Sequence, residues 1–235
     1  MMTRFRLSRC LSALIIATGV SLVAVDGAGA AAIKGKVQYV GPPVEPKKLP
    51  VTVDQFVCGK DKDDEDLVLS SQRGVRNAVV SLASPPPGAQ WQFSTAPVFL
   101  DQRQCVFIPR VTLVPAGGTV EFLNSDRLLH NIHSAARANT GFNRTQPRGR
   151  TIPITFAKPE IIPISCDLHG WMRAWVVVMG HPFYSVTGSE GEFALDNVPP
   201  GKYTLNIWHE TLGTVTKDVT VGETDATTVI EVGRR

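Results

Sequence analysis

Helical periodicity is nearly absent from this chain, which excludes a helix bundle or any architecture resting on amphipathic helices. Long apolar runs are also missing, except one from about Leu11 to Val25 that is too short for a comfortable membrane span. Strong charge of either sign is absent. Without residues 1–30, which hold three arginines and Asp26, the 24 basic and 21 acidic residues fall to 21 and 20, a net charge of +1. That balance gives no reason to expect a nucleic-acid partner. Neither a zinc-protease motif nor a nucleophile with a base beside it occurs, so nothing suggests a peptidase.

The apolar stretch near the start belongs to an export signal. Arg4, Arg6 and Arg9 precede it, and Ala28, Gly29 and Ala30 follow as small residues suited to cleavage near Ala30. A retained membrane anchor is the competing reading. A lipoprotein is disfavoured because Cys10 lies before the apolar run. About two hundred residues remain, enough for one large β domain or two small ones. They hold three cysteines, Cys58, Cys105 and Cys166. In an oxidising compartment an odd count means one pair and one thiol with another task, and the count does not say which.

Short alternating segments fill the rest. Val120 and Phe122 alternate with Thr119 and Glu121, and Ile162, Ile164 and Cys166 share one face. Tyr203, Leu205 and Ile207 repeat the pattern, with turn signals such as Ala116-Gly117-Gly118 and Pro199-Pro200-Gly201 between. Such punctuation predicts all-β sandwiches. Trp175 to Met179 reads as a strand buried on both faces. Residues 84–96, with Pro85-Pro86-Pro87-Gly88, read as a linker or edge loop, and residues 134–150 as a long connection. Asp61, Asp63, Asp64, Glu65 and Asp66 read as a solvated acidic loop. They lack the glycine and spaced terminal acid of a calcium loop.

The run Cys166-Asp167-Leu168-His169-Gly170-Trp171-Met172 sets a thiolate, an imidazole and a thioether at even three-residue steps. A tight loop after a strand can gather them around one point, and such a set suits copper in both oxidation states. A trigonal site needs a second histidine. His130 is the candidate, just after the strand Thr119–Leu123. His133 reads as a strand or bracing histidine, since three positions from His130 it faces the other side of a strand. His181 and His209 read as boundary and surface residues. Trp208-His209-Glu210 fits interface packing better than a second metal.

With the glycine turn and strand Gly117–Phe122, the pair His130-Asn131 and the Cys-x-x-His-x-x-Met loop, residues 97–180 resemble the cupredoxins, the blue-copper family of plastocyanin, pseudoazurin and amicyanin. The resemblance implies one copper ion, with His130, Cys166 and His169 in a plane, Met172 as the long axial ligand and Asn131 bracing the ligand loop. Cys58 and Cys105 then remain as the disulfide. A lone cysteine in the loop argues against a dinuclear centre. By the same resemblance His169 is expected near the surface as an electron exit, ringed by Trp171, Met172 and Trp175.

Val186–Leu205, with its Gly191-Glu192-Phe193 hairpin and Pro199-Pro200-Gly201 turn, resembles the carboxypeptidase regulatory-like domain, a small transthyretin-like sandwich without catalysis. That family's opening strands are matched at Gly35-Lys36-Val37 and Asn77–Leu82. The expected fold is thus a cupredoxin Greek-key β-sandwich plus a small transthyretin-like β-sandwich. Its divisions are 1–30 as signal peptide, 31–96 as an N-terminal β segment of the regulatory-like sandwich, 97–180 as the copper domain and 181–235 as the rest of that sandwich. The competing arrangement is an N-terminal extension on the copper domain and a separate C-terminal module. The implied function is a periplasmic electron carrier, not an enzyme. Its partner would be a redox protein such as a c-type cytochrome or a dehydrogenase, an amine dehydrogenase if amicyanin is the guide. A copper-binding carrier or non-redox recognition module is the alternative. Between Arg127 and Lys158 six basic residues occur with no acid, either a solvated loop or a steering surface for an acidic partner.

Overall fold

Inward side chains at every second position dictate strands, and strands are what form. The computed structural model describes residues 30–234, so the export signal lies outside the described residues apart from Ala30. β1 (Ala31–Tyr39) comes first. β2 (Lys48–Pro50) and β3 (Asp61–Asp63) pair antiparallel on either side of a single helical turn, α1 (Gln55–Cys58). β4 (Val79–Leu82) follows, and the stretch 84–96 carries no strand. Then come β5 (Val98–Arg103), β6 (Val106–Ile108), β7 (Val111–Pro115), β8 (Gly118–Asn124) and β9 (His130–Ser134). β10 (Phe142–Gln146), β11 (Ile152–Phe156), β12 (Glu160–Ser165) and β13 (Arg173–Met179) complete this group. The last strands are β14 (Tyr184–Val186), β15 (Glu192–Val198), β16 (Gly201–His209), β17 (Gly213–Val221) and β18 (Ala226–Val232). The architecture is all-β.

Sheets ordered β10-β9-β12-β13-β7 and β11-β8-β5-β6 enclose one apolar core. Val120 and Phe122 point into it from β8, Ile162 and Ile164 from β12, and Val176 and Val178 from β13. Sheets β15-β1-β18 and β14-β4-β16-β17 enclose another, around Val37, Val80, Phe193, Leu205 and Ile230. In the second pair Gly35 of β1 lies opposite Phe193 of β15, and Val80 of β4 opposite Ile207 of β16. Residues before and after 98–179 therefore share these two sheets. Gly35 is required by that packing, because a Cβ there would stand 2.2 Å from the Thr228 carbonyl oxygen and 2.9 Å from the Phe193 ring.

Three sequence expectations are corrected. The stretch 134–150 is not merely a connection, since β10 within it pairs with β9 as an edge strand. Its inward residues are Phe142, edge-on to Phe122 at 5.9 Å, and the fully buried Gln146. A polar residue at an inward position hides the alternation. Gln146 is satisfied by Gln102 of the opposite sheet and by two carbonyls. The acidic run is not simply a solvated loop: Asp61 and Asp63 lie in β3 beside Lys48, and Asp66 pairs with Arg110. His209 is buried rather than on the surface, and burial lowers its pKa.

β13 is buried on both faces because the two sandwiches pack on each other. Val177 meets Val79 and Val111 in this seam, and Trp175 stands edge-on to Trp208 at 5.0 Å. Arg110, 7% exposed, crosses it with two hydrogen bonds to Glu210 (2.8 and 2.7 Å), one to Asp66 (2.6 Å) and one to the Arg173 carbonyl (3.2 Å). The Trp175 indole also donates to Glu210. Each buried valine contributes about 1.5–3 kcal/mol, whereas a buried ion pair returns little beyond its desolvation. Apolar contact thus holds the seam and Arg110 sets its register. Glu210→Ala should accordingly lower stability by about 3 kcal/mol, since it leaves a buried guanidinium with only the half-exposed Asp66 carboxylate, and adding Arg110→Met should recover much of the loss. Urea unfolding followed by tryptophan fluorescence measures both.

Candidate metal centre

β12 carries Ile162 and Ile164 into the core, and the next residue in that alternation is Cys166, just past the strand end. β12 pairs with β9 through Ser165 and His133, which brings the β9 residue His130 beside the loop although it stands 36 positions before Cys166. The loop is closed by its own backbone: Met172 N–H donates to the His169 carbonyl at 2.8 Å, and Cys166 N–H to the Met172 carbonyl at 3.3 Å. His130, Cys166, His169 and Met172 are all buried. The two Nδ1 atoms stand 3.0 Å apart, and Cys166 Sγ lies 3.5 Å from His169 Nδ1 and 4.0 Å from His130 Nδ1. Met172 belongs to the same apolar cluster as Cys166.

The outer nitrogens decide the tautomers. His130 Nε2 is 2.8 Å from Asp126 Oδ2, and His169 Nε2 is 2.9 Å from Asp54 Oδ2. An ionised carboxylate only accepts, so each Nε2 carries the hydrogen and a neutral ring turns a bare Nδ1 lone pair inward. Two lone pairs at 3.0 Å with a sulfur beside them repel unless a proton or a metal ion lies between. These separations suit donors sharing one ion at metal–nitrogen and metal–sulfur bonds of about 2.0 and 2.3 Å. Nitrogen and thiolate donors favour copper, zinc or another thiophilic ion over magnesium or calcium. Cys105, Asp126 and His130 also converge, but Cys105 is disulfide-bonded to Cys58 and offers no thiolate. Cys166 is the free thiol among the described residues.

Burial pushes the Cys166 thiol up, but the His130 ring with a proton on Nδ1, the Asn131 backbone N–H, the His169 ring in the same protonated form and the Leu168 backbone N–H outweigh it and bring its pKa from 9.0 to about 7. Burial pushes His130 down, and its bonds to Asp126 and Cys166 outweigh that, so its pKa is raised. Asp126 is also pushed up by burial, yet His130 and the backbone N–H groups of Cys105 and Gln104 hold it below the ordinary value.

Asn131 accepts the backbone N–H of Asp167 at 2.7 Å, tying β9 to the loop one residue past the thiol. Asp167 is also bound by His133 (2.9 Å) and by Asn143 of β10 (2.6 Å). His133 is half-exposed and is not among the residues that converge with Cys166. His181 donates to the Leu82 carbonyl, remote from the site.

The expected surface exit is not formed. His169 has no exposure, and Met172 is 1% exposed. Trp171 is half-buried, donates to the Cys105 carbonyl at 2.9 Å and packs 5.1 Å from the His169 ring, while Trp175 belongs to the seam. The cause is the segment between β2 and β3, which the Cys58–Cys105 disulfide draws over the loop. Sequence reasoning missed Asp126 and Asp54. Asp126 had a signal, standing four residues before His130. Asp54 had none, being 115 residues from its partner.

In the metal-free protein the Cys166 thiolate should form through a midpoint near pH 7, well below the ordinary 9.0. Because the ligand must be deprotonated, metal affinity should fall as pH drops below that midpoint and level off above it. Ultraviolet titration of thiolate absorbance, with Cys166→Ser as blank, checks the first. Metal competition at several pH values checks the second.

No family model and no curated protein matches the chain. Among solved structures it is similar to the copper-containing nitrite reductase of Thermus scotoductus SA-01, at 24% identity and TM-score 0.35, over 42% of this chain but 26% of that one. It is also similar to a purple cupredoxin from Nitrosopumilus maritimus, at 21% identity and TM-score 0.31, over 35% of this chain and 99% of that one. A reduced mutant of amicyanin aligns at 21% identity and TM-score 0.34, over 43% of this chain and 98% of that one.

Proposed function

We propose that the protein is an exported mononuclear copper protein that carries electrons rather than catalysing a reaction on a substrate. The observation that carries this reading is the pair of inward Nδ1 atoms 3.0 Å apart beside a thiol whose pKa lies near 7. His130, Cys166 and His169 would hold the ion, with Met172 as a weak fourth donor. Bound copper supplies a one-electron couple. Asp126 and Asp54 hold the imidazoles in one tautomer and orientation. Asn131, His133 and Asn143 hold Asp167, so the loop has little freedom to reorganise between oxidation states. Met172, Trp171 and Ile132 keep water out. With every donor buried, no open position invites a substrate.

Export is supported by the N-terminal pattern and by the Cys58–Cys105 disulfide, which suits an oxidising compartment. Among the described residues no helix is long and apolar enough to cross a membrane. We read the sheets of β1, β15 and β18 and of β4, β14, β16 and β17 as a regulatory-like sandwich divided around a copper domain, a reading supported by the pairing of β1 with β15 and of β4 with β16. A redox partner, such as a c-type cytochrome or a dehydrogenase, would meet the face bearing Val53, Val57 and Leu168, which are exposed. The closure of His169 favours a second reading, a copper-binding carrier with no redox partner.

Copper loading of residues 31–235, followed by visible absorption, electron paramagnetic resonance and voltammetry, separates these. Wild type should show an intense thiolate-to-copper band and a reversible couple, and Cys166→Ser should lose the band. Met172→Leu should keep it with the potential shifted by about 60 mV, a tenfold change in the relative affinity for the two states. A copper complex without a reversible couple would leave only the carrier. For the partner, Arg144→Glu with Arg148→Glu should slow electron transfer several-fold at low salt, with the spectrum unchanged. An unchanged rate would reduce that loop to a solvated one.

A further inference from the structure

Asp54 occupies the N-cap of α1, where an aspartate ordinarily accepts a backbone N–H of the first turn. Here it makes no such bond, and its backbone is left-handed, at φ 53° and ψ 31°. A non-glycine residue held there carries strain, and the strain persists only where surrounding structure imposes it. The side chain is 54% exposed, yet Oδ2 reaches in to the Nε2 of a fully buried histidine. The helix cap has been given up for His169.

The segment that presents Asp54 is fixed independently. Val51 N–H donates to the Lys60 carbonyl at 3.0 Å and closes residues 51–60 into a loop. Val51 and Cys58 are buried in the metal-side core, and Cys58 is bonded to Cys105. Cys105 also gives its N–H to Asp126 at 2.8 Å and accepts the Trp171 indole. One disulfide thus joins the carboxylate behind His169, the carboxylate behind His130 and the ring packed at a tilt against His169.

We infer that Asp54 is a positioning residue of the metal centre, carried on a disulfide-pinned cap that encloses His169 from outside. It fixes the Nε2–H tautomer, directs Nδ1 at the ion and makes the imidazole a stronger donor. Partners of this kind typically change metal affinity 10–100-fold when removed. A more basic nitrogen favours Cu(II) over Cu(I), so the cap lowers the potential while it shields the imidazole edge. The inference rests on the copper reading of the same site.

Asp54→Gly removes the carboxylate and relieves the left-handed backbone, and Asp54→Asn keeps shape but loses charge in a conformation asparagine tolerates. Phe56→Ala, altering a fully exposed residue of the same cap, controls for disturbance of the segment. Cu(II) affinity should fall about tenfold or more in Asp54→Gly, with Cu(I) affinity changed less. Each tenfold difference between the two raises the potential by about 59 mV. Asp54→Asn should fall between, and Phe56→Ala should match wild type. In the metal-free proteins, nitrogen-15 NMR should show a slowly exchanging His169 Nε2–H in wild type and Phe56→Ala that exchanges faster in Asp54→Gly. An unchanged potential with unchanged Nε2–H exchange overturns the inference, as does a Phe56→Ala effect equal to that of Asp54→Gly. Failure of every protein to bind copper would sink the copper reading, and the exchange comparison alone would then decide the role of Asp54.

Discussion

Two imidazole nitrogens face each other across 3.0 Å with a sulfur alongside, and the surrounding structure is arranged so that they cannot turn away. Rotating either ring to relieve the lone-pair repulsion would break its bond to Asp126 or Asp54 and leave a buried N–H without a partner, a loss of about 1–3 kcal/mol. The apposition is therefore stable only as part of the whole, and its relief is a proton or a metal ion. A site prepared in this way suffers little rearrangement on binding.

Different parts of the fold supply the pieces. β9 brings His130, the end of β12 brings Cys166, and the ligand loop brings His169 and Met172. Asp126 comes from the β8–β9 connection and Asp54 from the segment between β2 and β3. The alternation of the strands carries His130 and Cys166 into one core and the self-closed loop adds His169, whereas both carboxylates arrive from irregular backbone without that parity. That division follows from geometry. Strands fix a side chain's face by parity, but a carboxylate that must approach the rim of a ring from outside needs a turn.

The same division explains what could be read from the sequence. Parity made β8, β12 and β13 legible, because inward positions such as Phe122, Ile164 and Val176 are apolar. The spacing of Cys166 and His169 made the loop side of the cluster legible, and with His130 they do converge. β10 was hidden because its inward residue is Gln146, satisfied only by a partner on another sheet. The burial of His169 was hidden because it depends on a disulfide between residues 47 positions apart drawing in a segment with no metal-binding pattern of its own. Family resemblance pointed the wrong way there. It implied an exposed imidazole, and the covering segment lies outside residues 97–180.

The seam between the sandwiches reaches the same loop from its other end. Arg173 directly follows Met172 and opens β13, and its carbonyl accepts Arg110 Nη1. Arg110 is held on its far side by Glu210 and Asp66, and Glu210 belongs to the turn between β16 and β17. The loop that bears the donors is thus pinned at its start by Asn131 on the Asp167 amide and just beyond its end by a guanidinium anchored in the other sandwich. A guanidinium so buried is expensive without its carboxylates, and it has them only while the two sandwiches are in register. The second sandwich therefore helps to fix where β13 begins, directly after the loop that carries Cys166 and His169.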